Sequence, residues 1–191
     1  MPMRSPLNLI TVEEYLKLEQ DGEIRHEYVA GQIYAMTGSS REHNLIATNL
    51  ISLLRPHLRG GSCRAFVSDM KVEIKTSSQR ADFFYYPDVV VTCNPLDRER
   101  YFLTSPCLVI EILSPSTQAT DRREKRINYQ SLDSLQEYVL VSQAEMKVEI
   151  YRRDNDNNWT VETIGKNEYL QLNSVELTLT MADIYEDVFS L

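Results

Sequence analysis

One short stretch of the sequence, residues 107–113 (CLVIEIL), constrains the fold more than any other. Its residues are apolar except for Glu111, and such a run is typical of a strand that is covered on both faces of a sheet. An ionised carboxylate in such a strand is unfavourable unless it is hydrogen-bonded, paired with a cation or bound to a metal. Glu111 therefore predicts either a structural ion pair with an arginine or a metal site, and on this residue alone the two alternatives are about equal.

The pattern around this strand predicts helices that alternate with strands. Two capping boxes, Thr11–Glu14 and Ser39–Glu42, each begin a helix, and the second helix extends to about Leu58. The other predicted elements are a hairpin at 27–36, strands at 64–75, 83–91 and 138–141, a polar helix at 120–132, a hairpin at 146–164, a strand at 170–179 and a terminal helix at 182–189. Buried strands with helices between them predict an α/β fold, in which a mixed central sheet is flanked by helices on both faces.

Length and composition indicate one domain of ordinary size. The chain has 191 residues, of which 42% are hydrophobic and 25% are charged. We expect a single domain over residues 1–191, with a core at about 11–145 and an added C-terminal β-hairpin within a β extension at about 146–191. No apolar run approaches the roughly 20 residues that span a bilayer, and the N-terminal stretch lacks the apolar segment of a signal peptide. These features predict a cytoplasmic protein with no membrane partner.

Cysteine usage and net charge limit the classes of function. The three cysteines, Cys63, Cys93 and Cys107, are far apart in the sequence and form no CxxC pair, which predicts neither a zinc site nor a disulfide framework. Cys107 lies in the apolar run and is predicted to be a small core residue. The net charge of −8 disfavours broad attraction to nucleic acid, because phosphate binding relies on clustered lysine and arginine. Carboxylates that bind a metal contribute to such a negative charge until the ion is bound.

Asp88 is the first candidate partner of Glu111, because it follows Pro87 between two apolar runs. Aspartate is common in turns, which is the simpler explanation of its position. If its strand pairs with that of Glu111, however, two carboxylates come close together and repel each other. A divalent cation such as Mg²⁺ would remove the repulsion, since it binds one or two carboxylates and keeps waters for a phosphate.

The predicted polar helix places Asp121, Lys125 and Tyr129 on one face, at positions i, i+4 and i+8. The alternative is a solvated face stabilised by the Asp121–Lys125 pair, and we favour that alternative for the three arginines of the same helix. For Lys125 we favour a functional role, because its helix begins just past the strand that carries Glu111. Its amine could then reach back to orient an attacking water or to stabilise a phosphate.

Three polar residues in the first half of the chain are further candidates for the site. Glu27, at the start of the first hairpin, is a candidate third acidic group of the site. His43 lies on the apolar face of its helix, where a lone histidine is more often a hydrogen-bonded core residue than a ligand, and we keep it as a supporting residue. Asp69 lies on the polar face of its strand, and solvation is the simpler account of it.

Several of these stretches, taken in order, resemble the PD-(D/E)XK nuclease superfamily, and more closely its bacterial branch of restriction endonuclease-like proteins. They are residues 26–38 (HEYVAGQIYAMTG), His43, residues 86–91 (YPDVVV), residues 109–117 (VIEILSPST), Asp121 with Lys125 and Tyr129, and residues 137–141 (EYVLV). The resemblance implies a restriction-endonuclease-like core, α-β-β-β-α-β, and Mg²⁺-dependent phosphodiester cleavage with Asp88 and Glu111 as metal ligands. The superfamily lysine lies two residues after the acidic residue, a position held here by Leu113, so that Lys125 would supply the amine from the helix.

The leading hypothesis is an endonuclease that cleaves DNA with Mg²⁺, or with Mn²⁺ in its place. Its predicted site consists of the metal ligands Asp88 and Glu111, the assisting Lys125, and the supporting residues Glu27, His43, Asp121 and Tyr129. The alternative is a catalytically inactive module of the same fold that binds nucleic acid or protein, which the acidic charge and Leu113 favour. A third hypothesis is an oligomerisation domain whose residues 146–179 form a dimer interface. Many nucleases that cut both strands are dimers, and we therefore expect a homodimer.

Overall fold

The computed structural model describes residues 9–75 and 82–189. Residues 1–8, which begin the N-terminal stretch considered for a signal peptide, lie outside the described part. Within the described residues, no helix combines the length and the apolar character needed to cross a membrane.

The strands form two large mixed sheets and one small one. They are β1 (His26–Val29), β2 (Gln32–Ala35), β3 (Arg64–Val67), β4 (Lys71–Lys75), β5 (Asp82–Tyr85), β6 (Val89–Thr92), β7 (Phe102–Leu103), β8 (Pro106–Leu113), β9 (Glu137–Ser142), β10 (Lys147–Arg153), β11 (Trp159–Gly165), β12 (Tyr169–Leu172) and β13 (Leu177–Thr180). A five-stranded sheet has the order β2-β1-β5-β4-β7, and a six-stranded sheet has the order β11-β10-β9-β8-β6-β3. Each contains one parallel pair, β4 with β7 and β8 with β9. This confirms the predicted mixed α/β architecture.

The helices begin at the residue types that the sequence indicates. They are α1 (Val12–Asp21), α2 (Arg41–His57), α3 (Gln118–Thr120), α4 (Arg126–Gln130) and α5 (Met181–Ile184), and a π-helical turn at Asp121–Lys125 joins α3 and α4 into one continuous segment, the 118–130 helix. The predicted capping box begins α1, since the Thr11 hydroxyl accepts from the Glu14 N–H at 3.2 Å and the Glu14 carboxylate accepts from the Thr11 N–H at 2.7 Å. The N-cap of α2 is Ser40 rather than the predicted Ser39, because the Ser40 hydroxyl accepts from the His43 N–H at 3.2 Å.

Strand β8 lies inside the six-stranded sheet, and all of its residues are buried, as its apolar run predicts. It pairs antiparallel with β6 and parallel with β9. The 118–130 helix connects β8 to β9, and the three elements form a parallel strand–helix–strand unit. The two faces of β8 contribute to different cores: Ile112 packs in the core that contains α2, whereas Leu113 packs with Tyr129 in the core under the 118–130 helix.

The segments 64–75 and 83–91 each form two strands that belong to different sheets, so the prediction of one strand for each segment was wrong. The first segment bends at Ser68, whose φ is 53°. The second bends at Pro87 and Asp88, between β5 and β6. The Ser68 N–H donates to the Asp88 carbonyl at 3.0 Å, so the two bends lie side by side. In the first segment, the hydrophobic pattern alone does not indicate the change of sheet, because Phe66, Met70, Val72 and Ile74 keep the period of two residues across the bend.

The C-terminal region extends the six-stranded sheet through the predicted hairpin, formed by β10 and β11. The segment 170–179 is a second hairpin, β12 and β13, rather than the single predicted strand. A 3-10 turn at Asn173–Val175 and Glu176, whose φ is 54°, reverse the chain there. The terminal helix predicted at 182–189 is only the short α5, which ends at Ile184.

Cys63 and Cys93 form a disulfide bond, so the expectation that the chain has no disulfide was wrong. Strand pairing brings them together, because Arg64 of β3 lies opposite Thr92 of β6 and each cysteine is the next residue outward. Cys107 is free and buried, as predicted.

Candidate active site

Asp88 and Glu111 come from neighbouring strands of the six-stranded sheet. Val89 of β6 pairs with Ile110 of β8, which places Asp88, the residue before β6, beside Glu111. A carboxylate oxygen of Asp88 accepts a hydrogen bond from the Ile112 N–H at 2.7 Å. The two carboxylates that the sequence paired are therefore adjacent, and the backbone of β8 fixes the orientation of Asp88.

His43 contacts Asp88 from the first turn of α2. Its Nε2 lies 3.2 Å from Asp88 Oδ2. Burial acts to lower the pKa of His43, but the hydrogen bond and the negative charge of Asp88 outweigh burial and raise this pKa above its usual value. His43 is therefore the hydrogen-bonded partner of a site carboxylate.

Lys125 lies among three carboxylates. Its Nζ is 2.7 Å from Glu27 Oε1, 3.4 Å from Glu111 Oε1 and 3.5 Å from Asp121 Oδ1. The Lys125 side chain is buried, as are those of Glu111 and Asp121. The ion pair that the sequence left open for Glu111 exists, and its cation is a lysine of the 118–130 helix rather than an arginine.

The π-helical turn at Asp121–Lys125 turns both of its terminal residues inward. Such turns are rare and occur frequently at functional sites, because the extra residue changes the direction in which side chains point. Tyr129, one turn further along the predicted stripe, is also buried. Its ring packs at 5.6 Å from that of Tyr85 and at 5.4 Å from that of Tyr138, behind the carboxylates. The predicted stripe is therefore a buried face, and its first two residues reach the site.

The charges at the site do not balance. Four carboxylates, those of Glu27, Asp88, Glu111 and Asp121, share the site with only two basic side chains, those of Lys125 and His43. Burial raises the pKa of Glu111 well above its usual value; Lys125 opposes this effect, and the three other carboxylates add to it. Burial acts to lower the pKa of Lys125, but the surrounding carboxylates outweigh it and hold this pKa above its usual value. The cluster therefore favours any additional cation.

The donor set fits a hard divalent cation that keeps part of its water shell. In the described part of the chain, no group of three His, Cys, Asp or Glu residues is close enough to hold a metal by itself. Two carboxylates, those of Asp88 and Glu111, are nevertheless adjacent, and Mg²⁺ is typically held by one or two carboxylates together with waters and phosphate oxygens. Asp121 Oδ1 is buried and has no hydrogen-bond partner among the described residues, since Lys125 Nζ at 3.5 Å is not in bonding geometry. Such an atom is suited to accept a bond from a water of that shell.

These side chains face a cleft with a volume of about 720 Å³. Its lining includes the site residues Glu27, His43, Asp88, Glu111, Asp121 and Lys125. One wall is formed by residues 34–40, and another by residues 114–117, the turn that follows β8. The cleft is large enough to admit a phosphate with its neighbouring sugars to the carboxylates.

Sequence reasoning did not identify several residues of the cleft. Arg25 and Tyr86 line it, and so do Ser114 and Thr117 of the turn that follows β8. The turn exists, since the Thr117 N–H donates to the Ser114 hydroxyl at 3.2 Å. Their position directly after the strand of Glu111 is the signal that could have indicated a second role.

The arginines of the 118–130 helix lie outside the cluster of carboxylates. Arg122 pairs with Glu149 of β10, and the Arg126 guanidinium lies 5.1 Å from the centre of the Tyr151 ring. Both side chains are half-buried against β10, whereas the sequence favours a solvated face for the arginines.

Comparison with known proteins identifies relatives along almost the whole chain. An uncharacterized protein of Synechocystis sp., slr1290, is 39% identical over 182 residues, which cover 95% of this chain and 94% of the relative. A second uncharacterized protein of that organism, sll1609, is 31% identical over 173 residues, which cover 88% and 96%. The crystal structure of a putative nuclease belonging to DUF820 from Anabaena variabilis matches with a TM-score of 0.76 and 23% identity, over 94% of this chain and 99% of that one. This match shows the fold.

The sequence profile of the Uma2 family, described as "Putative restriction endonuclease", matches residues 12–182. The match spans the hairpin of Glu27, Asp88 with β6, the strand of Glu111 and the 118–130 helix. It confirms the resemblance to the restriction endonuclease-like branch. The chain therefore belongs to the Uma2 family of putative restriction endonucleases and has a nuclease-like α/β fold.

Proposed function

We propose that this protein hydrolyses phosphodiester bonds in DNA with the help of Mg²⁺, for which Mn²⁺ can substitute. One observation carries the proposal: Lys125 Nζ contacts Glu27, Glu111 and Asp121 in a cleft that also contains Asp88. Phosphoryl transfer depends on charge stabilisation and positioning rather than on a protein nucleophile. Two carboxylates with a nearby amine can provide both. Family membership supports the same class of reaction.

In the proposed site, Asp88 and Glu111 hold the ion, which when bound supplies Lewis-acid stabilisation and a more acidic water. Asp88 is oriented for this role by the Ile112 N–H and by His43. Asp121 Oδ1, which has no hydrogen-bond partner in the described structure, would accept a hydrogen bond from a water of the ion's shell. Glu27 holds the Lys125 ammonium, and the ammonium donates to the non-bridging oxygens of the phosphate as their negative charge grows.

A second candidate function is an inactive module of the same fold. The observation that favours it is the position of Lys125, since an ammonium among the carboxylates already neutralises part of their charge. In that case metal is not bound, and the cleft serves only to bind nucleic acid or protein. Homodimer formation stays a prediction in either case, and sedimentation velocity tests it.

Calorimetric titration with Mg²⁺ and Mn²⁺, together with plasmid nicking, distinguishes the two functions. We expect the wild type to bind metal and to nick DNA, and Asp88→Asn and Glu111→Gln to lose both properties. The matched control is Asp133→Asn, which removes the charge of an exposed residue outside the cleft. Metal binding without nicking over many DNA sequences would reject DNA cleavage, and absence of both would favour the inactive module.

A further inference from the structure

All three cysteines of the chain meet at one place in the six-stranded sheet. Cys63 and Cys93 form the disulfide, and the Sγ atom of the free Cys107 lies 3.4 Å from Cys93 Sγ. That distance is within van der Waals contact of two sulfur atoms. A free thiol in contact with a disulfide is the arrangement from which thiol–disulfide exchange begins.

The order of the strands sets the direction of approach. Cys93 follows β6, and the two neighbours of β6 in the sheet are β3 on one side and β8 on the other. Cys63 directly precedes β3, and Cys107 lies in β8. Cys107 therefore contacts Cys93 from β8, whereas Cys63 is bonded to it from the end of β3, on the other side of β6.

The surroundings of Cys63 favour its departure. Cys63 is half-buried and lines a cavity of about 190 Å³ near the C-terminal end of α2. The residues of this lining all belong to the described range 9–75; three of them are the arginines Arg55, Arg59 and Arg64, and none is acidic. Neighbouring guanidinium groups stabilise the negative charge of a thiolate, and a stabilised thiolate is a better leaving group.

We infer that Cys63, Cys93 and Cys107 form a thiol–disulfide relay, in which Cys107 displaces Cys63 from Cys93 and makes Cys63 a reactive thiol in the arginine-lined cavity. The Cys107 thiolate attacks Cys93 Sγ, the Cys93–Cys107 bond forms and the Cys63–Cys93 bond breaks. The electron pair of the broken bond leaves on Cys63 Sγ, which takes up a proton from water in place of the one that Cys107 released. The number of disulfides is unchanged, and no oxidant or reductant is consumed.

The inferred exchange is slow but not prevented by burial. Burial raises the pKa of Cys107 to about 11, so only a small fraction of the thiol is ionised at pH 8.5. The contact between the two sulfur atoms compensates for the low thiolate fraction in the rate of exchange, since well-oriented intramolecular reactions reach effective molarities of about 10⁵ M or more. The Cys63 thiol that results is suited to modification by a small anionic disulfide or alkylating agent, because the arginines attract negative charge.

Alkylation of the folded protein tests the relay. The protein, purified without reductant, is incubated with iodoacetamide at pH 8.5 for several hours, quenched in acid and digested with trypsin. Cleavage after Arg64, Arg98 and Arg100 places the three cysteines on separate peptides for mass spectrometry. The relay predicts alkylated Cys63 together with a Cys93–Cys107 link, and both increase with time. Persistence of Cys63–Cys93, with Cys107 either unmodified or itself alkylated, overturns it.

Two variants serve as controls for misfolding and for direct reaction of iodoacetamide with the disulfide. Cys107→Ser, which lacks the attacking thiol, should keep the Cys63–Cys93 link and take up no label; labelling of Cys63 in this variant contradicts the inference. Cys63→Ser leaves Cys93 and Cys107 in contact, and oxidised dithiothreitol should join them into a disulfide. If those two thiols stay reduced while circular dichroism shows a native fold, the contact that the relay requires is absent.

Discussion

Lys125 Nζ lies 2.7 Å from Glu27 Oε1, closer than its 3.4 Å approach to Glu111 Oε1. The lysine thus reaches the strand that carries Glu111 from a different element, and a carboxylate of the first hairpin determines where its ammonium rests. In the proposed reaction this makes Glu27 a positioning residue for Lys125. The superfamily position of the lysine is held by Leu113, which packs in the core. In the proposed reaction Lys125 supplies the amine instead.

Glu27→Gln should reduce the rate of Mg²⁺-dependent cleavage by about 10–100-fold, the range typical of residues that orient a group at a metal site. The neutral amide keeps the shape of the side chain but holds the ammonium less firmly. Single-turnover cleavage at saturating DNA measures the effect. Glu13→Gln, an exposed residue of α1 outside the cleft, is the matched control and should leave the rate unchanged. Equal rates for both variants would show that Glu27 does not position Lys125.

Lys125→Met should destabilise the fold in the absence of metal by about 3–5 kcal/mol, because it leaves buried carboxylates without their cation. Urea denaturation in EDTA measures this loss. Adding Mg²⁺ should stabilise the variant more than the wild type, since the ion then replaces the missing charge. The double variant Lys125→Met with Glu111→Gln should recover part of the lost stability, and a double variant as unstable as the single one would contradict this electrostatic explanation.

Lys71 gives a prediction about pH that is separate from the proposed chemistry. Its Nζ donates to the Tyr86 hydroxyl at 3.1 Å, and burial lowers the pKa of Lys71 below its ordinary value of 10.5. Between the lowered pKa and 10.5 the unfolded chain binds more protons than the folded one, so this residue makes stability rise with pH in that window. The free energy of unfolding of the wild type minus that of Lys71→Met should therefore increase from pH 8 to pH 10. A difference that is constant or that falls with pH would contradict this sign.

Reduction of the Cys63–Cys93 disulfide should lower the free energy of unfolding by about 3–4 kcal/mol, because the bond closes a loop whose ends are 30 residues apart in sequence. Urea denaturation with and without a phosphine reductant measures the difference. The double variant Cys63→Ser with Cys93→Ser should be insensitive to the reductant. A wild type that is equally insensitive would show that the bond does not stabilise the fold.

The features of the site that could be predicted from sequence are those that depend on local pattern. An apolar run with one acidic residue identifies β8 and Glu111, and helical spacing places Asp121 and Lys125 on one face. Both inferences use only residues that are close in the chain. The burial of the Glu111 carboxylate can also be predicted from sequence, because strands of this composition are covered on both faces of the sheet.

The features that could not be predicted depend on how distant segments meet. Nothing near Glu27 in sequence indicates that it binds Lys125, because this contact requires the five-stranded sheet and the 118–130 helix to pack together. The Cys63–Cys93 bond likewise follows from the pairing of β3 with β6. The change of sheet at Ser68 was missed because a bend leaves the alternation of side chains intact on either side of it.

The bends at Ser68 and Asp88 have a mechanical consequence. Glu27 belongs to the five-stranded sheet, whereas Asp88 and Glu111 belong to or adjoin the six-stranded one, and the chain passes between the sheets beside Asp88. The candidate site therefore lies where the chain crosses from one sheet to the other, and a change in the angle between the sheets changes the distances between its charged groups. A substrate that contacts both sheets would hold this angle fixed, so that substrate binding and alignment of the charged groups would be one event.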